Sequence, residues 1–191
     1  MKRLFIAIKI NCTKEFISFL NHIESELTDE VIKWIKPANI HITLAFLGNT
    51  KEQLIPELSE ALSKITCDFA PFNLTLKGCG VFKNLQNPNV IWAGIDADNI
   101  IFKLKTKLDF VLENFGFAVD KRPFKPHLTI GRPKSIRNKE LLKELLNKYQ
   151  EKVYLKQEVE NLILFESLLY TTDPVYEEIK VFNLSLSQNP S

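Results

Sequence analysis

The sequence has few of the residues that could tie a fold together covalently. Its 191 residues include three cysteines, Cys12, Cys67 and Cys79, and no two of them form a CxxC pair. An odd number of cysteines without that spacing argues against the disulfide framework of a secreted domain and favours a reducing compartment. We therefore expect a cytoplasmic protein whose cysteines are small core residues rather than activated thiolates.

Long hydrophobic runs and an excess of charge of one sign are also missing. The apolar run near the start covers only residues 4–8 before Lys9 interrupts it, which is too short for a signal peptide or for the roughly 18 residues of a membrane span. The 25 Lys+Arg and 23 Asp+Glu leave a net charge of +2. We expect no membrane partner, and we expect any contact with a polyanion to be confined to a local basic groove.

The signatures of several enzyme classes are absent as well. The chain contains no GxSxG elbow, no GxxxxGK[ST] loop, no GxGxxG fingerprint and no HExxH helix. The triplet at residues 78–80, Gly-Cys-Gly, is interpreted as a turn rather than a phosphate cradle. Nucleotide-fold and zinc-hydrolase chemistry therefore have no support in the sequence.

The chain instead alternates strand-like and helix-like segments. Runs rich in β-branched and aromatic residues predict strands, at residues 3–8, 40–47 (ended by Gly48), 72–76, 90–95, 127–132, 162–169 and 175–184. Apolar residues at helical spacing predict helices, at residues 13–27, from about 50 onward, at 101–115 and at 138–149. Thr172, Asp173 and Pro174 predict a turn between the last two strands.

The alternation repeats with nearly constant spacing. From Ile8 to His41 is 33 residues and from Ile95 to His127 is 32, counted along the printed sequence. This spacing indicates a duplicated strand-helix-strand-helix unit. No linker or low-complexity tract separates the two copies, so we expect residues 1–191 to form a single domain, either one globular unit or two closely packed lobes.

Two of the three histidines share a tetrapeptide frame. His41 begins HITL at residues 41–44, and His127 begins HLTI at residues 127–130. Alternate residues of a strand share a face, so His41 lies beside Thr43 and His127 beside Thr129. If a two-fold axis relates the two halves, two imidazoles and two hydroxyls converge on one groove.

That set of groups suits phosphoryl chemistry without a metal. A neutral imidazole can take a proton from water, a protonated one can give a proton to the leaving oxygen, and hydroxyls can hold the phosphate oxygens. The alternative is that each His-x-Thr merely ends a buried strand, and the doubling of the motif at matched positions argues against it. A metal site on His41 and His127 would lack its third and fourth ligands, and His22, on a helix flank, is interpreted as structural.

With the segments around both motifs, the sequence resembles a known superfamily. RLFIAI at 3–8, WIKPANIHITLAFLG at 34–48 and RPFKPHLTIGR at 122–132 are similar to the two-histidine phosphoesterases. The similarity is closest to the RNA 2',3'-cyclic phosphodiesterases, also called 2'-5' RNA ligases. It extends to FES at 165–167 and to Tyr176, and the departure from the pattern is Ile130 where Leu is frequent.

The resemblance implies a fold and a set of roles. The fold is α+β and two-lobed, each lobe an antiparallel sheet backed by helices, with the active groove between the lobes. The family implies that His41 is the general acid, His127 the general base, and Thr43 and Thr129 the phosphate-holding hydroxyls. No metal and no cofactor are expected.

The resemblance also implies a substrate and a reaction. The substrate is RNA with a 2',3'-cyclic phosphate terminus, with tRNA fragments among the candidates, and the product carries a 2'-phosphate. The same chemistry in reverse would join such an end to a 5'-hydroxyl. The alternatives are a cyclic nucleotide or 2'-5' oligonucleotide phosphodiesterase, and an RNA-end binding module without turnover. No obligatory protein partner is inferred.

Two neighbours of the motifs are candidate substrate-binding residues. Arg132 follows Thr129 by three residues, where a guanidinium could bind phosphate. Phe46 could stack on a base, but in a regular strand it would face the core, so that use requires a bend near Gly48. Five further cations precede the motif strands and could line the RNA path: Lys33, Lys36, Lys121, Arg122 and Lys125.

Overall fold

The structure, a computed structural model, describes residues 1–169 and 174–186. The strands are β1 (Lys2–Lys9), β2 (Val31–Trp34), β3 (His41–Thr50), β4 (Phe72–Phe82), β5 (Val90–Ala97), β6 (His127–Ser135), β7 (Val153–Val159), β8 (Asn161–Leu169) and β9 (Pro174–Asn183). The α-helices are α1 (Lys14–Glu26), α2 (Ile55–Thr66), α3 (Asn99–Asn114) and α4 (Lys139–Tyr149).

The strands form two antiparallel sheets. One has four strands in the order β3-β1-β8-β9, and the other has five in the order β2-β6-β5-β4-β7. In the first half of the chain α1 lies between β1 and β3, which pair with each other; in the second half α3 lies between β5 and β6, which pair likewise. The prediction of a two-lobed α+β fold built on a duplicated unit is confirmed.

The helices are exchanged between the two sheets. Helix α1 follows β1 of the four-stranded sheet but packs on the five-stranded one, where Phe16 contacts Tyr154 of β7 and Phe19 contacts Tyr149 of α4. Helix α3 follows β5 of the five-stranded sheet but packs on β3 and on α2. Because of this exchange, most buried apolar side chains of both sheets form one continuous core, and a second, smaller cluster surrounds Phe5.

Three local predictions were wrong in their details. Strand β3 does not end at Gly48 but continues to Thr50, because the glycine takes a left-handed φ of 66° within the strand. Helix α2 therefore starts at Ile55, after a 3₁₀ turn at Glu52–Leu54 and with Pro56 in its first turn. The triplet at 78–80 is not a turn but part of β4, where the pairing with β5 shifts register.

Two strands lacked a sequence signal strong enough to predict them. Strand β2 has only four residues and extends the edge of the five-stranded sheet. Strand β7, VYLKQEV, buries only Tyr154 and Val159, so its apolar content is too low for the periodicity to stand out. The two tail strands are confirmed, and Thr172 and Asp173 of the predicted turn lie outside the described residues.

The structure also bears on the prediction that the cysteines are not activated thiolates. All three cysteines, each within the described residues, lie outside any disulfide and are partly buried. Burial raises the pKa of the Cys12 thiol, and it raises the pKa of Cys79 to about 12, so neither is an activated thiolate.

In the described part of the chain, none of the helices has the length and apolar character that crossing a membrane requires.

Candidate active site

Both His-x-Thr motifs face one cavity between the two sheets. Its volume is about 450 Å³, and its walls include His41 and Thr43 of β3 together with His127 and Thr129 of β6. Strand alternation explains why each histidine shares the cavity face with its threonine. The residue between them, Ile42 in β3 and Leu128 in β6, points the other way and is fully buried in the core. The structure thus brings together four side chains that lie on two different sheets.

A bulge in β3 brings Phe46 to the same cavity. Ala7 of β1 pairs with Thr43 and Ile6 pairs with Ala45, which leaves Leu44 as an extra residue. The bulge shifts the alternation by one residue, so Phe46, opposite Phe5, shares the face of Thr43. Phe46 is 68% exposed and lines the cavity. The bulge at Leu44 thus turns Phe46 to the cavity, and a second register shift leaves Leu47 unpaired beside Gly48, where the bend was expected.

A bulge in β6 brings Arg132 to the cavity in the same way. Trp92 of β5 pairs with Thr129 and Ile91 pairs with Gly131, which leaves Ile130 as the extra residue. The shift returns Arg132 to the cavity face. The last residue of each HxTx motif is thus the bulged residue, and both Leu44 and Ile130 are buried in the core.

The two imidazoles are held by matching hydrogen bonds. His41 Nδ1 lies 2.8 Å from the carbonyl oxygen of Asn39, and His127 Nδ1 lies 2.7 Å from that of Lys125. A carbonyl oxygen can only accept, so Nδ1 carries a proton in each ring and donates it. Nε2 is therefore the nitrogen that each ring offers to a substrate, as a base when neutral and as an acid when protonated.

Aromatic side chains support both rings. His41 lies 4.9 Å from Phe5 and packs edge-on to Tyr176 at 5.2 Å, measured between ring centroids. His127 packs edge-on to Phe82 at 4.6 Å. Burial lowers the pKa of both imidazoles, and the positive charge of Arg132 lowers both further, against the opposing effect of each carbonyl acceptor.

The described walls of the cavity carry charge of one sign. Of the described residues in its walls, none is acidic and four are cationic: Arg3, Lys33, Lys36 and Arg132. Two other members of the predicted basic cluster form ion pairs outside the cavity, Lys121 with Glu113 and Arg122 with Asp120. A chain with a net charge of +2 thus concentrates cations around one cavity, which suits an anionic ligand.

Sequence reasoning missed several residues of this cavity. Asn39 connects the His41 ring to the start of β9. Its side-chain nitrogen donates to the carbonyl oxygen of Pro174 at 2.9 Å, and its backbone carbonyl accepts from His41. Arg3 could have been found from the alternation of β1, since it shares a face with Phe5. Asn39 and Trp34, which also lines the cavity, lie in the segment at 34–48 that carries the resemblance, but no local pattern assigned either of them to the site.

The donor set around the cavity does not fit a metal ion. Within residues 1–169 and 174–186, no three side chains of the types His, Cys, Asp and Glu lie together as a metal would require. Threonine and arginine, which accompany the two histidines here, are not ligands that zinc or magnesium prefers.

Comparisons with known proteins extend over nearly the whole chain. The family described as LigT like Phosphoesterase matches residues 7–92 and 95–176, one segment for each half. The RNA 2',3'-cyclic phosphodiesterase of Archaeoglobus fulgidus is 32% identical over 185 residues, covering 94% of this chain and 99% of that protein. The enzyme of the same name from Methanocaldococcus jannaschii is 34% identical over 180 residues, covering 93% and 98%.

Solved structures show the same architecture. A crystal structure of a Thermus thermophilus protein superposes with a TM-score of 0.77 at 26% identity, covering 97% of this chain and 100% of that one. E. coli LigT complexed with 3'-AMP gives a TM-score of 0.76 at 24% identity, covering 98% and 99%, which shows a shared fold. By its sequence over both halves and by this fold, the chain belongs to the LigT-like phosphoesterase family.

Proposed function

We propose that this enzyme hydrolyses the terminal 2',3'-cyclic phosphate of RNA and leaves a 2'-phosphate. The observation that carries the proposal is the matched pair of Nδ1–H···O=C bonds, which leaves two Nε2 atoms for proton transfer beside two threonine hydroxyls. The names of the relatives from Archaeoglobus fulgidus and Methanocaldococcus jannaschii support this substrate class.

In the proposed reaction each imidazole moves one proton. Neutral His127 takes a proton from water at Nε2 as the water oxygen bonds to phosphorus. The bond between phosphorus and O3' breaks, and protonated His41 gives its Nε2 proton to O3'. The product keeps the phosphate on O2' and gains a 3'-hydroxyl, and proton exchange with solvent restores both rings.

The remaining groups stabilise the charge that develops on phosphorus oxygens. Thr43 and Thr129 donate hydroxyl hydrogen bonds to the two non-bridging oxygens, and Arg132 supplies a positive charge beside them. The lowered pKa of His127 keeps this ring neutral, as a base must be. The negative phosphodiester raises the pKa of the imidazoles that it contacts, and at His41 this favours the protonated form that an acid needs.

The same groups can transfer the phosphoryl group to a hydroxyl. If a 5'-hydroxyl of a second RNA takes the place of water, His127 removes its proton and O3' leaves as before. The product is a 2'-5' linkage, so ligation needs no residue beyond those of hydrolysis.

The test is a substrate panel with matched variants. The purified protein is assayed on RNA ending in a 2',3'-cyclic phosphate, on a 3',5'-cyclic nucleotide and on a 2'-5' dinucleotide. We expect the RNA end to be hydrolysed with the highest kcat/KM and to yield a 2'-phosphate. Preference for either of the other substrates would replace the proposed substrate while keeping the proposed chemistry.

Histidine variants separate an enzyme from a binding module. General acid or base catalysis contributes about 10² to 10⁴ in rate, so His41→Ala and His127→Ala should each lose most turnover while still binding RNA ends. His22→Ala is the control, because His22 lies on α1 against Tyr149 and Lys148. Equal turnover in all three variants and the unmodified protein would mean that the paired motifs are structural.

A further inference from the structure

A second group of polar side chains lines the cavity on the four-stranded sheet. Arg3 lies on the cavity face of β1, since its neighbour Leu4 is buried in the core. Ser167 of β8 pairs directly with Tyr176 of β9, and both line the cavity. These three residues form what we name the β1-β8-β9 row.

The strand register places the members of the row side by side. Leu4 of β1 pairs with Glu166 of β8, so the antiparallel register sets Arg3 next to Ser167. Neighbouring strands are about 4.8 Å apart, so the row spans about 10 Å across three strands. A guanidinium and two hydroxyls at that spacing can together contact one phosphate group.

No carboxylate among the described residues neutralises the charge of the row. In the described parts of the chain, neither Arg3 nor Arg132 forms an ion pair with a carboxylate. Burial raises the pKa of the Tyr176 phenol, while the charges of Arg132 and Arg3 both lower it. The phenol therefore lies within the electrostatic reach of both guanidinium groups.

The two arginines reach the cavity from different sheets, Arg132 from β6 and Arg3 from β1. Arg132 lies on the cavity face of β6 together with His127 and Thr129, which places it beside the reacting phosphate. Arg3 lies on the other sheet. Along the paired strands β1 and β3, Phe5 lies between Arg3 and the position opposite Thr43. Two separate positive centres around one cavity suit a ligand with two phosphate groups better than a ligand with one.

We propose that Arg3, Ser167 and Tyr176 form a second phosphate subsite, which binds the phosphate on the 5' side of the terminal nucleotide. This inference rests on the proposed function and sharpens it. An RNA end carries that phosphate as the linkage to the preceding nucleotide, whereas a 2',3'-cyclic mononucleoside phosphate lacks it. The row therefore selects chain ends over cyclic mononucleotides.

The test measures binding apart from turnover. Calorimetry compares adenosine 2'-monophosphate with adenosine 2',5'-bisphosphate, two ligands that resemble the proposed product and differ only in the 5'-phosphate. We expect the bisphosphate to bind about tenfold more tightly, the size of a hydrogen bond to a charged group. Arg3→Met should reduce this ratio to near one.

Three further variants show whether the effect is local. Arg3→Lys should keep part of the preference for the bisphosphate, because lysine keeps the positive charge but lacks the planar guanidinium group. Tyr176→Phe should lower it severalfold, since the ring against His41 is kept and only the hydroxyl is lost. Arg122→Met removes the same charge outside the cavity, and the tenfold ratio should persist. Circular dichroism checks that each variant is folded.

Each outcome decides between the two proposals. Equal affinities in the unmodified protein, or an unchanged ratio in folded Arg3→Met and Tyr176→Phe, would overturn the subsite. Hydrolysis of cyclic-phosphate RNA is scored on the same preparations. If hydrolysis is absent but the Arg3-dependent preference is present, the proposed function fails and the subsite stands; if hydrolysis is present without the preference, the subsite alone fails.

Discussion

Phe46 and Arg132 occupy equivalent positions in the two halves of the molecule. Each follows the threonine of its motif by three residues, and each reaches the cavity because the residue two places before it, Leu44 or Ile130, forms a bulge. The repeated backbone thus presents an aromatic ring from one sheet and a guanidinium from the other. We expect the first to bind a base and the second a phosphate, so a symmetric frame yields an asymmetric site.

A leaving group that needs no proton should distinguish the acid from the base. In a 2',3'-cyclic substrate with sulfur as the 3' bridging atom, the thiolate leaves without protonation. Turnover of this substrate should be largely restored in His41→Ala and remain low in His127→Ala, measured as kcat/KM. Restoration in His127→Ala alone would reverse the two roles.

The pH profile of kcat/KM should be bell-shaped and displaced toward acid. The profile falls at low pH as the base is protonated and at high pH as the acid loses its proton. Burial and Arg132 lower the pKa of both imidazoles, so both limbs shift downward and the maximum should lie below about pH 7. The two apparent pKa values belong to the coupled pair of imidazoles and not to either ring alone.

Removing the charge of Arg132 should move that profile in the opposite direction. A nearby cation disfavours the imidazolium, so Arg132→Met should raise both pKa values and shift both limbs to higher pH. Arg122→Met, the matched change outside the cavity, should leave the profile in place. Identical profiles for the Arg132 variant and the unmodified protein would contradict the electrostatic account of the site.

The two motif threonines should contribute comparably. Thr43→Val and Thr129→Val keep the shape of the side chain but remove a hydroxyl that donates to a charged oxygen. Such a bond is worth roughly 1.5 to 3 kcal/mol, so kcat/KM should fall about 10- to 150-fold in each variant. Thr106→Val, on the surface of α3 where the hydroxyl donates to Phe102, should retain full activity; a similar loss there would point to a general effect of the substitution.

Phe46 should affect binding rather than stability. Stacking on one base is worth about 1 to 3 kcal/mol, so Phe46→Ala should raise KM for RNA ends about 5- to 150-fold. The side chain is 68% exposed, so its removal should change the free energy of unfolding by less than about 0.5 kcal/mol. Phe110→Ala, 65% exposed on α3, is the matched control, and an equal rise in KM there would refute stacking at Phe46.

Hydrolysis should persist in excess chelator. Two imidazoles, two hydroxyls and a guanidinium provide proton transfer and charge stabilisation without a Lewis acid. Initial rates with and without EDTA should agree within experimental error, after prior dialysis against the chelator. A loss of rate that a divalent ion restores would require a metal-assisted mechanism.

The sequence by itself determined the pairing of each histidine with its threonine. Alternation in a strand follows from local backbone geometry, so His41 with Thr43 and His127 with Thr129 could be placed on common faces before any fold was known. The spacing of the repeat and the helical stripes likewise depend on local periodicity. The repeated strand-helix-strand-helix order could therefore be predicted, apart from the short or polar strands β2 and β7, whereas the two-lobed α+β architecture was implied by the family resemblance.

Only the tertiary structure decided which other residues reach the cavity. The bulges at Leu44 and Ile130 arise from pairing with β1 and β5, so strict alternation would have assigned Phe46 to the core. Arg3 and Tyr176 join the site through strand order, and α1 and α3 cross to the opposite sheet to bury their apolar faces. Such features depend on contacts between segments far apart in the chain, and a local sequence pattern does not contain that information.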